Sequence, residues 1–400
     1  MLLGRPALRA WAPPRRGDRI AVAMSGGVDS SVVAALLAQR DYDVRGVYMR
    51  NWSTADEMGS MQGGSGGVMG CAWQKEWHDV QAVARHLGMH VDMIDLSRDY
   101  WIHVFEPALE QWTDGSTPNP DVACNRSIKF GALLDAIQAP WLATGHYARI
   151  GTRYEGATAF PVVQRAIDAT KDQSFFLSSV PSTRLARSLF PLGELRKTDV
   201  RRIARAFQLP TSDKDESMGL CFVGERGSGA HAFARFLDQY VVSEPGDFVT
   251  PDGRILGRHR GLHTLTIGQR ARIAGEPQRY YVARKEAATR RIVVVPSKTH
   301  PMLQCTSLTT SSFAWATGVP ALHTQLLAQV RYRQTAVPCF VHDHPTGGPE
   351  GGQGRLHGAG GTRAEIGQAG LHRLLQLLEG AHLDLADALA AHLVDLAQFL

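Results

Sequence analysis

Short apolar segments alternate with longer segments of helical periodicity along the first half of the chain. Residues 19–24 (RIAVAM) form an apolar run that is typical of a strand buried in a parallel sheet. Three more strands are predicted at 44–49, 90–96 and 141–147, and two helices at 31–40 and 77–88. This alternation predicts an α/β domain with a doubly wound parallel sheet up to about residue 200.

The pattern changes after residue 222, where short strands separated by turn residues replace the alternation. One helix is predicted at 233–240, and strands are predicted at 246–257, 280–285, 291–296 and 329–334. We therefore expect a catalytic domain over 18–222, a small linking domain over 223–290 and a β-barrel-like domain over 291–341.

Two stretches are rich in glycine and lack periodicity. Residues 54–70 predict a loop, and residues 342–370 predict a flexible segment. Residues 371–398 have helical periodicity and predict a terminal helical hairpin. We expect the whole stretch 342–400 to lie outside the catalytic machinery.

Composition narrows the class of protein. Hydrophobic residues make up 44% of the chain and charged residues 20%, which is the balance of a soluble globular protein. No apolar run approaches the roughly 18 residues of a membrane span, so we expect no membrane partner. A net charge of +5 permits a polyanionic partner but does not identify one. Five cysteines without a CxxC pair argue against a disulfide scaffold and a structural zinc site.

The first sixteen residues contain four arginines and no acidic residue. Organelle transit peptides share this bias, so residues 1–17 are a candidate targeting segment and we expect mitochondrial residence. The alternative is a cytoplasmic protein of bacterial origin, because Pro13 and Pro14 interrupt any helix here and serine is missing.

The segment Ser25–Ser30 (SGGVDS) follows the first strand and precedes a helix. Gly26 and Gly27 allow the backbone to approach a phosphate, and the N–H groups of the turn and helix start face the anion. Asp29 is a candidate Mg²⁺ ligand. The segment lacks the Gly-Lys-Ser/Thr of the usual P-loop. It resembles the signature of the PP-loop ATP pyrophosphatases, which implies an ATP- and Mg²⁺-dependent adenylating enzyme.

Further motifs decide which branch of that superfamily the chain resembles. They are 119–125 (NPDVACN), 143–149 (ATGHYAR), 171–174 (KDQS), 190–197 (FPLGELRK), 216–222 (ESMGLCF), 266–270 (TIGQR) and 331–334 (RYRQ). In this order they closely resemble the family of tRNA 2-thiouridylases, from about residue 18 to about residue 340. The resemblance implies ATP-dependent adenylation of the C2 oxygen of the wobble uridine, U34, followed by its replacement with sulfur.

Two cysteines suit that chemistry, since a persulfide on one can deliver sulfur while the other releases it by thiol–disulfide exchange. The resemblance implies that Cys221 carries the persulfide, that Cys124 is its partner, and that the two form a transient disulfide. It also implies that Asp121 is the acid–base group near the base.

The resemblance further implies two sets of ligand contacts. ATP would be bound by Ala23, Met24, Ser25, Gly26, Gly27, Val28, Asp29, Ser30, Met49 and Gly145. The tRNA, of the wobble-uridine Lys, Glu and Gln classes, would be contacted by Asn119, Pro120, Asp121, His146, Lys171, Asp172, Gln173, Arg331 and Tyr332. The sulfur donor would be a cysteine desulfurase or a sulfur-relay protein.

Two alternatives remain open from the residues. One is a PP-loop synthetase or amidotransferase, against which the lack of a glutaminase motif counts. The other is a noncatalytic tRNA-binding protein of the same fold, against which the intact phosphate loop and the cysteine pair count. The chain also departs from the family after residue 341, where segments that close the C-terminal barrel are missing.

Overall fold

The computed structural model describes most of the chain up to residue 344 and two short segments beyond it. The residues described are 13–52, 72–156, 158–215, 234, 236–242, 244–305, 307–310, 315, 323–344, 361–366 and 394–395. The candidate targeting segment up to residue 12, the loop 54–70 and the sulfur-carrier candidate Cys221 lie outside them. The chain divides into two compact units, one made of 1–105 and 120–228 and the other of 106–119 and 229–400.

The first unit is built on a parallel sheet, as the strand–helix alternation predicts. Its strands are β1 (Arg19–Met24), β2 (Asp43–Arg50), β3 (Val91–Asp95), β4 (Trp141–Ala143) and β7 (Ser188–Leu189). They are arranged in the order β3-β2-β1-β4-β7, and every neighbouring pair is parallel. An antiparallel hairpin of β5 (Ala148–Glu155) and β6 (Thr158–Arg165) is added to this unit.

Helices surround this sheet. They are α1 (Val28–Ala38), α2 (Ala72–Leu87), α3 (Ser97–Tyr100), α5 (Pro120–Ala123), α6 (Leu134–Ala136), α7 (Ser182–Leu185) and α8 (Lys197–Ala206). Two π-helical stretches, Trp101–Phe105 and Cys124–Leu133, and two 3₁₀ turns, Ser174–Leu177 and Pro191–Glu194, complete the unit. Helix α1 is apolar on all sides, and its residues 32–35 are fully buried, so it forms the centre of the core.

The strand order creates a crevice at the edge of the sheet. The chain runs outward from β1 through β2 to β3, then returns to place β4 on the other side of β1. The strand order therefore reverses between β1 and β4, and the carboxyl ends of these two strands mark the position where α/β sheets bind ligands. The phosphate-loop candidate follows β1, and the segment that contains Gly145 and His146 follows β4.

The second unit is rich in strands. Helix α4 (Glu106–Thr113) belongs to it, together with β8 (Gly246–Val249), β9 (Ile255–His259), β10 (Arg270–Ala271), β11 (Tyr280–Glu286) and β12 (Arg291–Val295). These strands form a sheet in the order β10-β11-β12-β8-β9 around a core that includes Phe248, Val282 and Ile292. Two 3₁₀ turns, Leu262–Thr264 and Pro301–Leu303, lie in its loops.

A further antiparallel sheet contains the last strands. They are β13 (Ser307–Thr310), β14 (Gln325–Ala328), β15 (Val337–His344), β16 (Gly361–Ile366) and β17 (Val394–Asp395), in the order β13-β16-β15-β14-β17. The strand predicted at 329–334 is wrong: β14 ends at Ala328, and a turn follows in which Arg333 has a φ of +63°. Residues 361–366 and 394–395 are strands, where the sequence predicts a flexible segment and a helix.

No helix among the described residues is both long and apolar enough to cross a membrane.

Candidate functional site

Hydroxyl groups hold the loop after β1 in shape. The backbone N–H of Ser25 donates to Ser30 Oγ at 3.1 Å, and Ser30 Oγ lies 3.2 Å from the carbonyl oxygen of Gly27. Ser31 Oγ donates to the same carbonyl at 2.8 Å. The first turn of α1 is thus tied back onto the loop, which presents its N–H groups at the crevice.

Two glycines allow other chain segments to approach this loop closely. Gly26 has a φ of +71°, and a Cβ there would lie 2.7 Å from the carbonyl oxygen of Glu76. A Cβ on Gly145 would lie 3.1 Å from the backbone nitrogen of Ser30. The loops after β1 and β4 therefore approach each other closely at Ser30 and Gly145.

Gly26→Ala is expected to weaken ATP binding by about tenfold or more, because a left-handed alanine costs roughly 1–2 kcal/mol and the Cβ also displaces Glu76. Gly88→Ala is the matched control, since Gly88 has a φ of +65° with open space around it. Isothermal titration with ATP checks the difference, and equal affinities in the two variants would contradict this account of the loop.

Asp29 is held by two side chains that sequence reasoning did not assign to the site. Lys197 Nζ lies 2.7 and 2.8 Å from the two carboxylate oxygens of Asp29, and the Tyr147 hydroxyl donates to Asp29 at 2.9 Å. The side chain of Lys197 is only 14% exposed. The segment 190–197 signals the family, but nothing in its pattern indicates that its last residue reaches the phosphate loop.

A second lysine supports the loop from another direction. Lys214 Nζ donates to the carbonyl oxygen of Gly26 at 2.9 Å and to Asp79 of α2 at 2.7 Å. Nearby, Tyr48 donates to Glu76 at 2.9 Å, and burial raises the pKa of the Glu76 carboxyl. The loop is therefore bounded by two lysines, each already paired with an aspartate.

The segment 119–125 contains the start of helix α5. Pro120 starts α5, as expected of proline in a first turn, and the π-helical stretch begins at Cys124. Cys124 is 1% exposed, and the thiols of the described cysteines form no disulfide with one another. Asn125 donates to the carbonyl oxygen of Phe176 at 2.9 Å, which ties this helix to the 3₁₀ turn of Ser174–Leu177.

Asp121 lies three residues before Cys124 in an environment that disfavours its charge. Burial raises the pKa of Asp121 above its ordinary value, although the ammonium of Lys129 acts in the opposite direction. The same lysine acts on His146, whose pKa is lowered well below its usual range, first by burial and then by Lys129. One cation thus influences both groups, so the two predicted motifs lie in one region of the first unit.

His146 is buried, which favours the neutral form of its imidazole, and its Nδ1 lies 2.7 Å from the Thr144 hydroxyl. Its ring packs against Phe130 and Phe190 at centroid distances of 5.8 and 5.9 Å. A neutral imidazole can hydrogen-bond a nucleobase but carries no charge for a phosphate.

The remaining predicted contacts occupy different places. Met49 lies near the carboxyl end of β2. Gln173 exchanges hydrogen bonds with the backbone of Tyr147, and Asp172 accepts bonds from the Ala166 backbone and the Ser174 hydroxyl, so both shape the first unit. Lys171 is half-buried beside them. The predicted contacts in the second unit are Asn119, Arg331 and Tyr332.

Comparison with known proteins finds two family models and a solved structure that are similar to parts of this chain. The family model described as the tRNA methyl transferase HUP domain matches residues 18–225, and the model described as the tRNA methyl transferase PRC-barrel domain matches residues 234–296. Among solved structures, a 4-thiouridine synthetase–RNA complex with bound ATP covers 56% of this chain and 50% of its own, at 16% identity and a TM-score of 0.32.

Curated relatives are more similar. The tRNA-specific 2-thiouridylase MnmA of Cupriavidus pinatubonensis is 41% identical over 335 residues, which covers 81% of this chain and 88% of the relative. The protein of the same name from Ralstonia nicotianae is 41% identical over 338 residues, covering 81% and 85%. The similarity to these relatives covers 81% of the chain, and the first family model matches residues 18–225. This chain therefore belongs to the tRNA-specific 2-thiouridylase MnmA family.

Proposed function

We propose that the chain adenylates the C2 oxygen of U34 in tRNA at the crevice between β1 and β4 and then exchanges that oxygen for sulfur. The observation that carries this proposal is that the phosphate loop approaches the loop after β4 at Gly145, beside His146, in the unit that also contains Asp121 and the buried Cys124. Lys129 connects the loop after β4 with the Asp121 segment, because its charge acts on both Asp121 and His146.

The fit of a nucleotide rests on the glycines. Gly26 and Gly145 leave no room for a Cβ beside the loop, so the loop N–H groups and the Ser25 and Ser30 hydroxyls can line an anion site. Met49 at the end of β2 would contact adenine, flanked by the strand residues Ala23 and Met24. Lys197 offers a positive charge for phosphate oxygens as soon as it leaves Asp29.

Mg²⁺ would be held mainly by the phosphates, with Asp29 as its protein ligand. Among the described residues no group of three or more His, Cys, Asp or Glu side chains could hold a metal ion. Bound there, Mg²⁺ would offset phosphate charge during the departure of pyrophosphate.

The sulfur chemistry needs two thiols. The C2 oxygen attacks the α-phosphorus of ATP, and pyrophosphate leaves. The Cys124 thiolate attacks the inner sulfur of a Cys221 persulfide, so a Cys124–Cys221 disulfide forms and hydrosulfide leaves. Hydrosulfide attacks C2 and AMP departs, while Asp121 accepts or returns the proton at the base. Counted from the Cys221 thiol and the sulfane sulfur that the donor delivers to it, the two thiols are oxidised to a disulfide and the sulfane sulfur is reduced to hydrosulfide, so the electrons balance.

The partners follow from the same chemistry. The substrate would be a wobble-uridine tRNA of the Lys, Glu or Gln class, with Lys171, Arg331 and Tyr332 as candidate contacts outside the crevice. The persulfide would come from a cysteine desulfurase or a sulfur-relay protein.

We further propose mitochondrial residence, on the basis of the arginine-rich start of the chain.

Asp121→Asn should lower 2-thiouridine formation by about 10²–10⁴-fold, the usual contribution of a general acid–base group. It should also change stability with pH in a defined direction. Because burial raises the pKa of Asp121, the folded state binds this proton more tightly than the unfolded state, and the carboxyl destabilises the fold as pH rises above about 4. The variant should therefore gain Tm relative to wild type at pH 7 but not at pH 4.

Thermal unfolding at the two pH values and mass spectrometry of tRNA nucleosides check this prediction. Asp41→Asn, a change at an exposed carboxylate, is the control. Wild-type thiolation by Asp121→Asn would contradict the acid–base role.

The whole function is tested by nucleoside analysis of tRNA from cells that lack the gene, with complementation by this chain. Restored 2-thiouridine at U34 supports the proposal.

ATP–pyrophosphate exchange that depends on tRNA separates the enzyme from a noncatalytic tRNA-binding protein, which would not incorporate pyrophosphate into ATP.

A further inference from the structure

Lys214 contacts the phosphate loop at Gly26, whose backbone is left-handed, with a φ of +71°. Its Nζ donates to the Gly26 carbonyl oxygen at 2.9 Å and to Asp79 Oδ2 at 2.7 Å. The carbonyl and the following N–H of a trans peptide point in opposite directions, so this bond directs the N–H of Gly27 away from Lys214. The lysine therefore acts on the orientation of a peptide group that leads directly into α1.

The backbone of Lys214 is itself held by α8. Arg201 Nη1 donates to the carbonyl oxygens of Ser212 and Lys214 at 3.2 and 2.7 Å. Lys197, the first residue of α8, contacts Asp29 of the same loop. One helix thus supports the phosphate loop at two places, through its own first side chain and through the segment that follows it.

Helix α2 confines Gly26 as well. A Cβ at Gly26 would lie 2.7 Å from the carbonyl oxygen of Glu76, so the loop has little room to move toward this helix. Tyr48 donates to the Glu76 carboxylate at 2.9 Å, which ties α2 to β2. Asp79 lies three residues after Glu76 and holds the ammonium of Lys214. Gly26 is therefore confined between α2 and a cation that α2 itself helps to place.

The ion pair between Lys214 and Asp79 offers little to stability. The two side chains are 30% and 27% exposed, and pairs in contact with water contribute little, because solvent competes and ordering long side chains costs entropy. A reoriented peptide in the loop would instead be felt by a bound phosphate, since hydrogen bonds weaken steeply when their direction changes. We therefore expect Lys214 to affect ATP binding more than folding.

We propose that Lys214 is a positioning residue for ATP: its bond to the Gly26 carbonyl holds the phosphate loop in the conformation that directs the N–H of Gly27 at the phosphates, and Asp79 keeps the ammonium in place. In this role Lys214 acts through the loop and not as a charge on the nucleotide. This inference rests on the proposed function, because it concerns the proposed ATP site.

The test measures ATP affinity by isothermal titration in the full-length protein. Lys214→Met keeps the length of the side chain but donates no hydrogen bond, and it should raise Kd for ATP by about tenfold, the worth of one hydrogen bond to a charged group. KM for tRNA and Tm should stay close to wild type. Lys214→Arg should recover most of the affinity, because a guanidinium can donate to both acceptors.

Arg205→Met is the matched control. Arg205 is an exposed cation of α8 that pairs with Asp213, so the variant removes the same charge from the same unit without touching the loop. Its Kd for ATP should equal that of the wild type.

Asp79→Ala separates positioning from simple electrostatics, because the two accounts predict opposite signs. If Lys214 attracted ATP only as a charge, removal of the neighbouring carboxylate would tighten ATP binding. If Asp79 holds the ammonium at Gly26, its removal should raise Kd for ATP by about threefold. A Kd at or below the wild-type value in Asp79→Ala would overturn the proposal.

A Kd for Lys214→Met equal to that of Arg205→Met would also overturn it, as would an equal loss of affinity in Lys214→Arg. If Lys214→Met does not fold or has a lower Tm, Asp79→Ala decides by the sign of its effect. A wild type that binds no ATP would instead refute the proposed function itself.

Discussion

Asp29→Ala is expected to abolish pyrophosphate release while tRNA binding stays close to wild type. Asp29 is the predicted protein ligand of Mg²⁺, and it also holds Lys197 and Tyr147 at the phosphate loop. Removal of the carboxylate thus eliminates the predicted metal ligand. It also leaves the largely buried Lys197 ammonium beside the loop without the Asp29 carboxylate. Loss of one preorganised electrostatic group of this kind costs at least about 10²–10³-fold in rate.

The measurement is pyrophosphate release in the presence of tRNA, alongside a filter-binding titration with labelled tRNA. Asp41→Ala is the matched control, because Asp41 is an exposed aspartate of the same unit whose carboxylate pairs with Arg16. Pyrophosphate release by Asp29→Ala at the wild-type rate would refute the assignment of Ser25–Ser30 as the phosphate loop.

Replacement of either reactive cysteine is expected to remove 2-thiouridine while leaving adenylation intact. Cys221→Ser should accept no sulfur from a cysteine desulfurase, whereas Cys124→Ser should still load sulfur on Cys221 but fail to transfer it. Both variants should release pyrophosphate, because the phosphate loop is unchanged. After one turnover without reductant the wild type should contain a Cys124–Cys221 disulfide, which requires Cα atoms within about 7 Å.

The structure also predicts that Cys124 and Cys305 react with an alkylating reagent at different rates. Cys124 is 1% exposed, whereas Cys305 is exposed, so iodoacetamide should alkylate Cys305 before Cys124 in the resting protein. Cys305→Ser is the matched control and should make 2-thiouridine normally. Loaded sulfur is followed by persulfide labelling and the disulfide by peptide mass spectrometry. Normal thiolation by Cys124→Ser or by Cys221→Ser would overturn the role of that cysteine.

The order of elements and the phosphate loop could be predicted from the sequence because both depend on local patterns. Apolar runs of strand length between helical segments predict a doubly wound sheet, and β1 to β4 confirm it. Ser25–Ser30 lies between strand and helix as expected, since two glycines and a helix start are properties of neighbouring residues. The short strands of the second unit were predictable on the same basis, whereas the position of β14 was not.

Only the tertiary structure decided which distant side chains complete the site. Lys197 contacts Asp29 across 168 positions of sequence, and Lys214 contacts Gly26 across 188. Local periodicity carries no information about such pairs, because they depend on the strand order and on loops that converge at one edge of a sheet. The raised pKa of Asp121 is equally a tertiary property, since burial by surrounding segments causes it.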